Sequence, residues 1–171
     1  SMRRIDDTLQ GLGQARIFYP GEAPFIDGRD WGTLCNLLNE DYHDLMNRNI
    51  IKTDSAAQLL FDRFDRAGQA AGLPPRLGLL DEGIRNKLAE TLETEARKML
   101  DEKHAGYPDS FENKTIIIES ARGGPDGSSM PLTGTFGYQY SLSMFCPEIL
   151  EQAVILYIWV TPEESRRKNA D

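Results

Sequence analysis

The chain of 171 residues carries 19 basic and 27 acidic side chains, and its formal charge is −8 at pH 7. This length predicts a single domain, spanning residues 2–171, that is large enough to bury a core. The acidic balance argues against nucleic acid as a partner. The longest apolar run, residues 153–160, is far shorter than the roughly 20 residues that cross a bilayer, so no membrane partner is expected.

The cysteines and histidines are few and widely spaced. Cys35 and Cys146 lack CxxC spacing, and the only histidines are His43 and His104. This pattern predicts neither a disulfide scaffold nor a zinc site built from His and Cys, and His43 is interpreted as a surface or capping residue. Because nothing at the N-terminus is typical of a signal peptide, a cytoplasmic location is expected.

The N-terminal part, residues 2–76, is predicted to be mainly helical. Glycine and proline interrupt residues 2–30, which predicts loops with at most a short helix or strand. Apolar residues at helical spacing then predict a helix from an Asp30 N-cap to about residue 49, and a second from about residue 53 to Gly72.

The third predicted helix has the clearest periodicity. Leucine, isoleucine or alanine recurs every four residues from an Asp81 cap to about Lys103, and charged residues fill the other faces. A polar link over residues 104–113 follows it. We expect residues 77–171 to form the core of an α/β domain.

Two uninterrupted apolar segments are predicted to be strands buried on both faces. They are residues 115–119, with sequence TIIIE, and residues 153–160, with sequence AVILYIWV. A long loop over 120–146 and a short helix over 147–152 separate them. Because apolar strands separated by helices favour a parallel sheet, the predicted fold class is α/β, a parallel sheet flanked by helices.

The residues after the first predicted strand form a candidate polar pocket, since ligands of such sheets bind beyond the carboxyl ends of the strands. Glu119 is followed by Arg122, Gly123 and Gly124, which combine a carboxylate, a cation and two glycines that let the backbone approach a ligand. The alternative is that Glu119 pairs with Arg122 while the glycines turn the chain.

The residues after the second predicted strand begin a helix. Thr161 and Glu164 have capping-box spacing, and Pro162 occupies the first helical position. Three cations follow: Arg166, Arg167 and Lys168. Cations at this edge are suited to phosphate charge, but they fit a solvated helix face equally well.

The second half of the chain resembles the P-loop kinase superfamily, in particular its small nucleoside, nucleotide and metabolite kinases. The resemblance covers residues 80–169 and lies in the helix over 81–103, the segment TIIIESARGG and the segment ILYIWVTPEESRRKN. It implies ATP and Mg²⁺ as cofactors, Glu119 and Arg122 as catalytic residues, and Glu119 as the acidic residue that helps to hold the metal. It also implies phosphate contacts from Arg122, Arg166 and Arg167, and the candidate pocket adds Gly123 and Gly124 to this predicted phosphate site.

The chain lacks the GxxxxGK[ST] loop, whose backbone N–H groups and lysine hold the phosphates in that superfamily. We therefore expect a kinase-like, phosphate-binding relative or fragment of a phosphotransferase, with an incomplete sheet and no activity alone. The alternative is a non-catalytic binding or regulatory module that uses the 120–146 loop and the helices for protein contacts. Its partner would be a second copy or the missing remainder of a larger protein.

Overall fold

The computed structural model describes residues 1–21, 24–120, 123–124, 128–158, 160–161, 163–164 and 167. Of these residues 54% are helical and none is in a strand. None of the described helices has the length and apolarity needed to cross a bilayer. The helices are α1 (Met2–Gly11), α2 (Asp30–Asn47), α3 (Ala56–Ala70), α4 (Glu82–Ala105), α5 (Tyr138–Met144) and α6 (Pro147–Leu150), with a 3₁₀ turn at Gly134–Phe136.

Helices α2, α3 and α4 confirm the three helices predicted from apolar spacing. Asp81 caps α4 as expected, because its carboxylate accepts hydrogen bonds from the N–H groups of Gly83 and Ile84. Helix α2 begins at Asp30 itself rather than after it, and its C-cap residue, Arg48, adopts a left-handed conformation. The cap of α3 is Ser55, one or two residues later than predicted.

The main core lies among α1, α3 and α4. Its fully buried side chains include Ile5 and Leu9 of α1, Phe61 of α3 and Leu88 of α4. Residues 2–30, predicted as mostly loop, thus contribute a helix whose apolar face completes this core. The loop after α1 adds Phe18, whose ring lies 5.6 Å from that of Phe64.

Glu93 of α4 anchors the start of α3. Its carboxylate accepts hydrogen bonds from the Ser55 hydroxyl at 2.7 Å and from the N–H groups of Ala56 and Ala57 at 2.9 and 3.0 Å, and it pairs with Arg97 at 2.9 Å. It thereby satisfies helix N–H groups that have no partner within α3. Burial raises the pKa of Glu93, but these hydrogen bonds outweigh burial and lower it to about 2.

Acid is therefore expected to weaken the fold through Glu93. A carboxyl whose pKa falls from 4.5 to about 2 on folding stabilises the protein fully above 4.5, and this stabilisation disappears as the pH falls towards 2. Because the side chain is 32% exposed, solvent screening limits the contribution to about 2 kcal/mol. Urea unfolding of the wild type and of Glu93→Gln should differ at neutral pH and converge on acidification. A gap that stays constant with pH would contradict this assignment.

The predicted α/β fold is wrong for the part of the chain that the structure describes. Residues 115–119 and 153–158 form no strand, and they are largely exposed rather than buried. Their β-branched side chains do favour extended backbone. A strand, however, needs a neighbouring strand to take its N–H and C=O groups, and the helices pack on one another instead of covering a sheet.

Candidate functional site

The predicted phosphate site loses its structural basis, because it depended on the carboxyl edge of a sheet. Glu119 is exposed and follows an irregular segment, while Arg122 and Arg166 lie outside the described residues. Gly124 lies against Ser128 and Leu132, so its lack of a side chain serves local packing of the loop. The α/β architecture of a P-loop kinase is absent from the described residues, and nothing in them supports nucleotide binding.

The turn after the second apolar segment has the capping hydrogen bond expected from its sequence. The Thr161 hydroxyl accepts a hydrogen bond from the N–H of Glu164 at 3.2 Å. Arg167 donates two hydrogen bonds to the Glu164 carboxylate, at 2.9 and 2.7 Å. The hydrogen bond from Arg167 lowers the pKa of Glu164. Arg167 therefore takes part in a surface ion pair, which favours the solvated-helix interpretation of this cation.

The most unusual surface feature is the segment 153–158, called here the C-terminal apolar segment. Val154 is 97% exposed, Leu156 is 83% exposed, and the intervening Ile155 is also mainly exposed. Each of the five side chains of residues 154–158 is more than half exposed, so apolar groups face water along the whole segment. No backbone group of residues 154–158 hydrogen-bonds to another described residue. Monomeric soluble proteins rarely leave so long an apolar stretch uncovered.

A second, shorter segment at residues 115–118 is also apolar and largely exposed. Ile117 is 87% exposed, whereas Ile118 packs against a second core cluster formed by Cys35, Phe145 and Ile149. The C-terminal apolar segment follows α6, which supplies Ile149 to that cluster. Both segments therefore leave the helical body beside the second core cluster.

Helix α2 holds the base of this surface in place. Asn39 donates a hydrogen bond to the C=O of Met144 at 2.8 Å and accepts one from the N–H of Cys146 at 3.0 Å, which fixes the junction of α5 and α6. Gly32 permits the contact between α2 and α5, since a Cβ there would lie 2.6 Å from the Tyr140 hydroxyl oxygen. Tyr138, at the start of α5, contacts the Tyr157 ring edge-on at 5.6 Å.

A cleft of about 390 Å³ lies elsewhere, between α2, α3 and α4. Its walls are mainly apolar and include Leu60 and Met99. Cations at its rim are paired: Lys103 contacts Asp41 at 2.7 Å, and Arg63 contacts Asp41 at 2.5 Å. An apolar wall with internally paired charges is poorly suited to a phosphate ligand, so the C-terminal apolar segment is the stronger candidate site.

The sequence does not predict that the C-terminal apolar segment is exposed, because a continuous apolar run is typical of a buried strand. One signal in the sequence could have indicated the exposure of this segment. Only two segments are predicted to be strands, and two strands by themselves do not form a stable sheet buried on both faces. Comparison with known protein families, with curated proteins and with solved structures finds no match to this chain.

Proposed function

We propose that this chain is a non-catalytic protein-interaction module that self-associates through its C-terminal apolar segment. The observation that supports the proposal is the exposure of five consecutive apolar side chains, residues 154–158, on backbone without a hydrogen-bonding partner among the described residues. The occupant of this surface is the same segment of a second copy.

The first reason to expect self-association is that the backbone of the segment can pair with another strand. An extended segment with unpaired N–H and C=O groups is a template for strand addition, in which main-chain hydrogen bonds supply affinity. Two copies bring four such segments, since each supplies residues 115–118 as well as the C-terminal apolar segment. Three or more strands are needed for a stable sheet, and two copies exceed that number.

The sequence of the segment suits antiparallel pairing with itself. In a register centred on Leu156, Val154 lies opposite Ile158 and Ile155 lies opposite Tyr157, so that every pair is apolar. The same register places Glu151 opposite Thr161 rather than opposite another carboxylate. A two-fold interface of this kind uses one patch on both copies, as closed dimers do.

The available hydrophobic free energy is of the size required. Covering each of these largely exposed side chains contributes about 1–2 kcal/mol, so ten of them across two copies contribute about 10–20 kcal/mol. Association of two proteins costs about 4–15 kcal/mol in lost translational and rotational freedom. The two ranges overlap, and the middle of the range for the gain lies above the middle of the range for the cost before backbone hydrogen bonds are counted.

Light scattering after size exclusion tests the proposal across a concentration series. The wild type should have twice the chain mass of 19.2 kDa, and Leu156→Lys should be a monomer because the two introduced ammonium groups would face each other across the two-fold axis. The control is Leu79→Lys, which places the same charge on a side chain that is 74% exposed in the loop before α4. It should leave the dimer intact.

Two results would overturn the proposal. One is a wild type that stays monomeric at every concentration, and the other is an equal loss of dimer in Leu156→Lys and Leu79→Lys. Because neither leucine side chain is buried, both variants should keep the helical circular dichroism of the wild type. A change in mass therefore reports association and not loss of folding.

A further inference from the structure

Three side chains of metal-binding type converge beside α6. One ring nitrogen of His43, the sulfur of Cys146 and one carboxylate oxygen of Glu148 all lie within 4.8 Å of one another. His43 comes from α2, Cys146 from the junction of α5 and α6, and Glu148 from α6. The few cysteines and histidines lack the spacing of a zinc motif, so their pattern along the sequence does not predict this cluster.

The backbone that carries these groups is fixed independently of any metal. Asn39, one helical turn before His43, binds the N–H of Cys146 at 3.0 Å and the C=O of Met144 at 2.8 Å. The Tyr42 hydroxyl donates a longer hydrogen bond of 3.5 Å to the C=O of Glu148. These contacts place α6 against the exposed face of α2 and hold the thiol beside the imidazole.

We propose that His43, Cys146 and Glu148 bind a Zn²⁺ ion. Thiolate, imidazole and carboxylate are the three ligand types that Zn²⁺ takes in proteins, at about 2.3, 2.0–2.1 and 2.0–2.2 Å. In a tetrahedral site these bonds place the ligand atoms roughly 3.3–3.6 Å apart. The ligand atoms, which lie within 4.8 Å of one another, can reach these distances by side-chain rotation, because His43 and Glu148 are exposed. Water completes the fourth position from the open side.

The charge of the ligand set fits a divalent cation, since a thiolate and a carboxylate together supply two negative charges. Ligands of this kind bind a metal in their deprotonated forms, so binding should release protons and strengthen as the pH rises.

Cobalt spectra test the thiolate ligand, and calorimetry tests the imidazole and the carboxylate. Titration of the purified chain with Co²⁺ should give a thiolate-to-cobalt charge-transfer band and visible bands of tetrahedral intensity, and Zn²⁺ should displace them. Cys146→Ser should abolish the charge-transfer band, while Cys35→Ala should keep it and so exclude the buried cysteine. His43→Ala and Glu148→Gln should each weaken Zn²⁺ binding, measured by calorimetry, at least tenfold. Glu151→Gln, an exposed acid on the next turn, is the matched control and should bind as the wild type does.

Asn39 is expected to align the three ligands, and its substitution gives a further test of the site. Asn39→Ala should weaken Zn²⁺ binding by about 10- to 100-fold and leave the cobalt spectrum tetrahedral, because the ligands remain while their alignment is lost. The proposal is overturned if Co²⁺ gives no charge-transfer band, if the band survives Cys146→Ser, or if affinity does not rise with pH. None of these measurements depends on self-association, since they can be made in the Leu156→Lys background.

Discussion

The Arg76→Ala variant is expected to lose about 3–5 kcal/mol of unfolding free energy, because it would leave the carboxylate of Asp30 buried without its cation. Asp30 is fully buried, and the guanidinium of Arg76 contacts its two carboxylate oxygens at 2.5 and 2.9 Å. The same guanidinium donates to the C=O of Ile17 at 3.0 Å and lies 4.4 Å from the centre of the Phe18 ring. One side chain thus ties the start of α2 to the loop after α1.

The control for this variant is Arg66→Ala. Arg66 pairs with Glu40 at 3.0 Å, but its side chain is 60% exposed, and exposed pairs contribute about 0–1 kcal/mol. Urea unfolding monitored by circular dichroism should separate the two variants by several kcal/mol. If Arg76→Ala destabilised no more than Arg66→Ala, the buried pair would not hold α2 in place.

The helical half of the fold could be predicted because its signals are local. Helix α4 shows an apolar residue every four positions and an Asp81 cap, and both features act within one or two turns of the chain. Helix α1 was harder to recognise because glycines follow it closely. Its buried residues Ile5 and Leu9 are one turn apart, which is the spacing that could have identified it.

The sheet could not be judged from sequence because strand pairing is a long-range property. The run around Leu156 has the composition of a buried strand, but composition does not specify which backbone lies beside it. In the structure the helices bury their apolar faces against one another, and the run remains exposed. Composition therefore predicts a buried strand for a segment that the described part of the chain leaves largely exposed.

The candidate sites also depend on contacts between distant parts of the chain, and they therefore differ from the predicted sites. The predicted role of Glu119 depends on its place after a strand, and the described residues contain no strand. The spacing of His43 and Cys146 along the chain matches no zinc motif. Only the packing of α5 and α6 on α2, directed by Asn39, brings them together. Motif spacing detects ligands that are close along the chain, and it gives no information about ligands that tertiary packing brings together.

The two proposed sites share one structural base. Glu148 and Cys146 lie at the start of α6, and the C-terminal apolar segment leaves its end. A metal bound between α2 and α6 would fix the direction in which this segment projects. Preorganisation of that kind lowers the entropy lost on association, so the metal and the second copy would stabilise the same arrangement.

Asp6→Ala is expected to destabilise the protein by about 3–5 kcal/mol, because it would leave backbone N–H groups without acceptors in a buried site. Asp6 is fully buried in α1, and its carboxylate accepts hydrogen bonds from the N–H groups of Ile17 at 2.8 Å, Phe18 at 3.2 Å and Tyr19 at 2.7 Å. These bonds fold the loop back over α1 so that Phe18 enters the core.

Asp7→Ala is the matched control, since Asp7 is 54% exposed and pairs at the surface with Arg16. The free energy of unfolding lost in this variant should stay below about 1 kcal/mol. Equal unfolding free energies for the two variants would mean that burial of Phe18 alone holds the loop, whereas a large difference assigns that role to the Asp6 carboxylate.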